Sequence, residues 1–518
     1  MPLSVRGIRP RGAAHPVPSP RPARETPMTD FPTDSIPATG HEPEAILETM
    51  RALRHHDADW RAGKTWSLVY SAGDEHSAFL KKAHNEFFSE NGLNPMAFKS
   101  LKRFETDTVT AMGRLLNGSA DTVGTLNSGG TESILLAVYT YRQRMRRKKP
   151  WVKKPELLIA TTAHPAFEKA AHYFGLRLRR APIDADYRVQ VAAIRRMMNR
   201  RTAAVVVSAP HYCQGVIDPV EEVAALTRAA GVPLHVDACV GGLMLPWVEK
   251  LGRPVPRWDF RVDGVTSISA DLHKYGYAAK GASVVLYRSM DYLKDQFFVA
   301  TDWPGGIYAS ANVPGTRPGG PIAAAWATLQ VLGEEGYLDL TRRALEVRDT
   351  LVAGVEATPG IEVFGDPVGT LVSFGSTDEK ALPIFAVADV LAAKGWHFDR
   401  HQNPNCIHAT CGASNVQSVE DFVRDLGAAV EAVRADPSLA GQGDAAMYGM
   451  MAKVPARGLV KVAVKRVMEA MYAPGATDPD LSDLAASDPL LAKLDEYGAV
   501  AMQAAERVRE RLGAILGR

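Results

Sequence analysis

Between about residues 119 and 340 two periods alternate along the chain. Short runs rich in β-branched and apolar residues at 203–207, 234–236, 265–268 and 283–287 are separated by stretches with helical spacing, such as 220–230. Strands without a polar face are buried on both sides, and intervening helices make their connections parallel. The pattern therefore predicts an α/β fold with a large, mostly parallel sheet between helical layers. After Gly336 a long helix-like stretch leads to a strand-like run at 372–374 and a helix-like run at 385–394, predicting a smaller C-terminal α/β domain. Near the N-terminus Ile46, Met50 and Leu53 recur at helical spacing. Residues 1–45, rich in Pro, Arg, Ser and Thr without a hydrophobic period, are expected to be a disordered tail. The expected organisation is this tail, a helical segment 46–118, a large domain 119–340, a small domain 341–455 and a helical extension 456–518.

Composition narrows the classes. With 518 residues, 46% hydrophobic and 23% charged, the chain has enough apolar content for two or three packed units, and it is neither collagen-like nor disulfide-stapled. Lys+Arg 60 against Asp+Glu 58 gives no chain-wide field for nucleic acid. The small positive balance belongs to the tail, where Arg6, Arg9, Arg11, Arg21 and Arg24 face only Glu25 before Met28. That tail lacks the apolar core of a secretory signal; an Arg-rich transit peptide and readthrough upstream of Met28 are its open alternatives. No apolar run reaches the roughly 18 residues of a membrane span. Cys213, Cys239, Cys406 and Cys411 form no C-x-x-C pair and no zinc spacing, so a reducing, cytoplasmic setting without a structural metal is expected. The basic run from Arg142 to Lys154 ends a predicted helix, where cations are favoured, and is read as a solvated helix end.

Four segments carry chemistry. Lys274 follows an apolar strand in Ser269-Ala270-Asp271-Leu272-His273-Lys274-Tyr275-Gly276; burial there would lower its pKa and leave free amine to condense with a carbonyl. Ser128-Gly129-Gly130-Thr131-Glu132-Ser133 opens an amphipathic helix, whose N-terminal N–H groups suit a phosphate. Asp237 ends the buried strand of His235-Val236-Asp237, where a carboxylate needs a cation such as a protonated pyridine. His164 sits in a loop after an apolar strand, able to stack on a ring. Phosphate cradle, stacking histidine, pyridinium partner and amine are together what pyridoxal phosphate requires of a protein.

The stretches S-G-G-T-E-S-I, H-V-D-A-C-V-G-G, S-A-D-L-H-K-Y-G-Y-A-A-K-G and T-D-W-P-G-G-I-Y-A-S, with T-R-P-G-G after the last, resemble the sphingosine-1-phosphate lyases, within the fold-type I pyridoxal phosphate enzymes related to group II decarboxylases. The similarity runs from about Tyr70 to Met451 and lacks the eukaryotic members' membrane anchor, as in a soluble bacterial-type member. It implies that Lys274 binds the cofactor covalently, Asp237 pairs with the ring nitrogen and His164 stacks. Gly129, Gly130, Thr131 and His273 would hold the phosphate. It also implies a homodimer with shared sites, in which the 46–118 segment contributes and Tyr70 and Thr316 reach across, with Asn94 and Lys280 near the substrate phosphate. Departures are Asn94 for the family's histidine in L-H-P, Gln214 for that in H-G-V-I-D-P (though His211 lies nearby) and Thr316 for a serine. The implied reaction is retro-aldol cleavage of a phosphorylated sphingoid base, with Lys274, His164 and Tyr70 as acid/base candidates. A group II amino-acid decarboxylase is the alternative; a non-catalytic scaffold fits poorly with both Lys274 and Asp237 in place.

Overall fold

The computed structural model describes residues 36–54, 57–441 and 457–474. Most of the tail expected at 1–45 and most of the extension expected at 456–518 therefore lie outside the described residues. The chain divides into two compact units: Met1–Asp57 with Lys465–Leu481, and Ala58–Val464 with Ser482–Arg518. In the first, a helix spans Pro43–Leu53, started by a proline suited to the first turn. Its Ile46, Leu47, Met50 and Leu53 remain exposed.

The second unit holds the larger sheet. Its strands are β1 (Val123–Asn127), β2 (Glu156–Ala160), β3 (Arg177–Ala181), β4 (Thr202–Ser208), β5 (Leu234–Asp237), β6 (Val265–Ala270) and β7 (Ser283–Tyr287), in spatial order β1-β7-β6-β5-β4-β2-β3. From β3 to β6 the pairs are parallel, while β7 runs antiparallel to both β6 and β1. β2, β4, β5, β6 and β7 are buried along their whole length, and their polar residues, such as His235 on β5 and Ser267 and Ser269 on β6, are buried with them. A short hairpin, β8 (Phe298–Ala300) and β9 (Tyr308–Ser310), follows.

Gly319–Glu356 is helical on both sides of a break at Gly333, whose backbone leaves the helical region (φ 55°, ψ −173°), and the part after the break crosses the domain boundary expected at residue 340. The part before the break was not anticipated; its Ile322, Ala323, Ala324, Ala325 and Ala327 pack inward. The smaller sheet comprises β10 (Ile361–Val363), β11 (Leu371–Ser376), β12 (Asp399–His401) and β13 (Cys406–Thr410), ordered β10-β11-β13-β12 and antiparallel throughout. The helices Ile384–Ala393 and Val419–Ala435 cover it, around a core that includes Trp396, Phe374 and Phe422.

Candidate active site

In parallel α/β sheets the crevice beyond the carboxyl ends of the strands is open to ligands, because the helices begin there. Here that crevice is a cavity of about 650 Å³. Into it face Ser128, Gly129, Gly130 and Thr131 after β1, His164 after β2, Asp237 at the end of β5, and Asp271, His273 and Lys274 after β6, with Tyr70 and Lys280 at its wall. Residues far apart in sequence are thus brought together by strand order.

The lysine loop is a tight turn. Tyr277 N–H donates to the Lys274 carbonyl at 2.9 Å, Ala278 N–H to the Leu272 carbonyl at 3.0 Å, and His273 N–H to the Ala282 carbonyl at 3.1 Å. Gly276 is required because a Cβ there would lie 2.4 Å from the Leu272 carbonyl oxygen. Lys274 Nζ lies 3.0 Å from Asp271 Oδ2. Burial pushes the amine down, but Asp271, Cys239 and Tyr70 outweigh it and leave Lys274 above the ordinary lysine value. The sequence-based expectation of a lowered pKa is therefore corrected: it weighed burial without the carboxylate one turn earlier.

Asp237 Oδ1 accepts from Cys239 N–H at 3.1 Å and from the Ser269 hydroxyl at 3.3 Å, with no hydrogen bond among the described residues to Oδ2. His164 Nδ1 accepts the Ala166 N–H at 3.2 Å, which places the neutral ring's proton on Nε2. Burial lowers its pKa most, partly countered by Asp237. His273 Nδ1 likewise accepts the Ala282 N–H at 3.2 Å, and burial again lowers its pKa. Tyr70 packs edge-on against Tyr275, with ring centroids 4.9 Å apart, and burial pushes its hydroxyl up to about 12. Lys280 Nζ donates to the carbonyls of Leu68 at 3.0 Å and His273 at 3.3 Å and lies 5.1 Å from the Tyr70 ring centroid. Burial and Lys274 lower its pKa.

The surroundings fit an anionic ring cofactor. The helix Gly130–Lys148 starts at the cavity with Gly129 as N-cap and no side-chain cap, leaving its first N–H groups for a ligand. A Cβ at Gly130 would lie 2.7 Å from Asp271 Oδ2 and 3.0 Å from Cys239 Sγ, so the backbone approaches the cavity floor only as glycine. Asp271 Oδ1 is buried without a hydrogen-bond partner. Glu132 also lines the cavity, but its Oε2 accepts from Ser128 N–H and hydroxyl, both at 2.7 Å, and braces the glycine turn.

Two expected site residues are elsewhere. Asn94 and Thr316 are exposed and do not line this chain's cavity; their segments meet through the pairing of Asn91 with Pro318 and the Gly92 N–H to Arg317 carbonyl bond at 2.7 Å. Conversely, Tyr70, expected to serve a neighbouring subunit, faces its own chain's cavity, since its segment packs on Tyr275. Asp271, Tyr212 and Asp399 also line the cavity and were not anticipated. Asp271 was visible in principle, as a carboxylate at a buried strand end three positions before an amine. Tyr212, whose hydroxyl donates to Asp399 Oδ2 at 2.5 Å, and Asp399 carry no local signal.

A sheet of this topology with an amine, a buried strand-end carboxylate and an uncapped helix N-terminus in one crevice defines a pyridoxal phosphate-dependent enzyme. The pyridoxal-dependent decarboxylase conserved domain matches residues 64–377. Sphingosine-1-phosphate lyase of Arabidopsis thaliana is 43% identical over 449 residues, covering 85% of this chain and 81% of the relative. Sphingosine-1-phosphate lyase 1 of Mus musculus is 39% identical, covering 86% and 78%. The solved structure of the Burkholderia pseudomallei sphingosine-1-phosphate lyase superposes with a TM-score of 0.75 at 38% identity, covering 78% of this chain and 94% of that one. The chain belongs to the pyridoxal-dependent decarboxylase family, in its sphingosine-1-phosphate lyase branch. Among the described residues no helix is long and apolar enough to cross a membrane.

Proposed function

We propose that this enzyme cleaves a carbon–carbon bond of a phosphorylated sphingoid base, giving a long-chain aldehyde and phosphoethanolamine. The observation that carries this reading is the convergence of Lys274, Asp237, His164 and the Gly129–Thr131 turn in one cavity with a second amine, Lys280, at its wall. Bound pyridoxal phosphate supplies an electrophilic carbonyl for amines and a ring that takes up the electron pair of a bond broken at the amine-bearing carbon.

The protein's part is holding, orienting and proton handling. Lys274 would anchor the cofactor carbonyl, Asp237 would keep a proton on the ring nitrogen, His164 would stack, and Gly129, Gly130, Thr131 and His273 would hold the phosphate. Lys280 offers a cation to the substrate phosphate. Retro-aldol cleavage requires a base at the substrate hydroxyl. Tyr70 remains a protonated donor below about 12. His164 presents Nε2–H while Nδ1 is occupied by Ala166. Lys274, 3.0 Å from Asp271 and held above the ordinary lysine value, is charged while it pairs with that carboxylate, so Lys274, His164 and Tyr70 all stay candidates for the proton transfer.

Asn94 and Thr316 fit a homodimer in which each chain completes its neighbour's site. Their segments lie together among exposed apolar side chains, including Phe88, Leu93, Met96 and Val313. Mixing inactive Lys274→Ala chains with chains inactivated by substitution of Thr316 should restore activity in heterodimers; no recovery after verified exchange would refute shared sites. The four free thiols support a reducing, cytoplasmic setting. The reaction itself is tested by incubating purified protein with sphingosine-1-phosphate, its dihydro and phytosphingosine analogues, and a set of amino acids. Aldehyde release is expected; carbon dioxide from an amino acid without aldehyde would replace the lyase reading by the decarboxylase one.

A further inference from the structure

The hairpin β12–β13 places three potential metal ligands on one face. Asp399 and His401 are two apart on β12 and so share a side of the sheet, and His408 on β13 stands directly opposite Asp399. Arg400, between them, turns to the other face and pairs with Asp389 at 2.6 Å. One carboxylate oxygen of Asp399 and one ring nitrogen from each of His401 and His408 lie within 4.8 Å of one another.

Their surroundings leave the imidazoles in want of a partner. His408 is fully buried, and neither of its ring nitrogens makes a hydrogen bond of good geometry, its one polar neighbour being the Tyr212 backbone. His401 Nδ1 is also buried and unpartnered. The two rings stack, centroids 4.5 Å apart, and the Tyr212 ring packs at 4.3 Å from His408. A buried neutral imidazole without a partner is costly, and its free lone pair is a ligand atom.

We propose that Asp399, His401 and His408 bind one divalent first-row transition ion. Two imidazoles and a carboxylate are a donor set for zinc and its neighbours, with a further position open to water or to the Tyr212 hydroxyl, which already bonds Asp399. Asp399 and Tyr212 both line the catalytic cavity, so the ion sits at its wall. Cysteine spacing gave no hint of it, because the ligands are histidines paired across a hairpin.

The test is equilibrium dialysis of the full-length, chelator-treated holoenzyme against zinc, with bound metal measured by atomic spectroscopy and cobalt used as a visible probe. The expected result is one zinc per chain and tetrahedral-type cobalt absorbance. His401→Gln and Asp399→Asn should weaken binding by at least the roughly 10–100-fold that losing even an outer partner of a metal site costs. His401 is only partly buried, so its variant should keep the fold, checked by circular dichroism and retained cofactor. A wild-type protein that retains no zinc beyond these variants, or variants that bind it as tightly as wild type, would overturn the proposal.

Discussion

Replacing Asp271 by Asn isolates the interaction that sets the charge of Lys274. Asp271 Oδ2 is 3.0 Å from Lys274 Nζ in a carboxylate side chain that is 1% exposed. At that separation two unit charges attract by about 5–6 kcal/mol at an effective dielectric constant of about 20. That energy corresponds to roughly four pH units on the amine. Burial acts in the opposite direction and would dominate once the carboxylate is gone. The amine should then titrate well below its wild-type position and below the ordinary lysine value. The assay is the rate at which apo-protein takes up pyridoxal phosphate, followed by absorbance across pH. Condensation needs the neutral amine, so the wild-type rate should keep climbing with pH, whereas the Asp271→Asn profile should rise and level off units earlier. Removing a negative charge near the phosphate cradle could also change the overall rate, but it would not move the midpoint. An unchanged midpoint would refute the electrostatic coupling.

Other outcomes follow from the same geometry. Borohydride treatment of the holoenzyme should bleach the cofactor absorbance and fix the label on the peptide containing Lys274; a label elsewhere would displace Lys274 from its role. Gly130→Ala puts a methyl 2.7 Å from Asp271 Oδ2. It should weaken cofactor affinity by about tenfold or more in an absorbance titration, about 1.4 kcal/mol. His211 and His235 are buried and held down to about 4 by burial, so unfolded chains bind more protons between that value and about 6.5. Their stabilisation is present above pH 6.5 and lost as pH falls through about 4, up to about 3 kcal/mol each, which urea titrations across that window should register. If Asn94 lies at the substrate phosphate of a neighbouring copy, Asn94→His should lower the Michaelis constant for sphingosine-1-phosphate with little change in cofactor binding, because it adds a charge-assisted donor.

What could be read in advance follows physical lines. β4, β5, β6 and β7 are legible because burial on both faces favours short runs rich in β-branched and apolar residues with no exposed polar face. β12, by contrast, is Asp399-Arg400-His401, polar at every position, and pairs only because β13 lies beside it. The onset of the helix at Gly319 was obscured by its opening glycines and proline, which tertiary packing of the following alanines overrides. The antiparallel β7 carries no mark in its own composition, since a fully buried strand is equally apolar in either direction.

The two carboxylates of the site show where local reading stops. Asp237 is legible because it ends a buried strand and needs a cation, and no neighbour in sequence provides one. Asp271 also ends a buried strand, yet its cation is Lys274, which sequence reading had already assigned to the cofactor. In the folded chain the two acids divide the work by what each already holds. Asp237 has its Oδ1 satisfied by Cys239 N–H and the Ser269 hydroxyl and its Oδ2 free, so it is oriented before any ligand arrives. Asp271 has its Oδ2 on Lys274 and its Oδ1 buried without a partner. An acid fixed in place by neutral donors suits a lasting ring-nitrogen contact, and an acid bound to a mobile amine suits proton traffic. The same distinction separates Lys274 from Lys280. Lys280 rests on the Leu68 and His273 carbonyls, neutral acceptors that leave its charge uncompensated and available to an anion at the cavity wall.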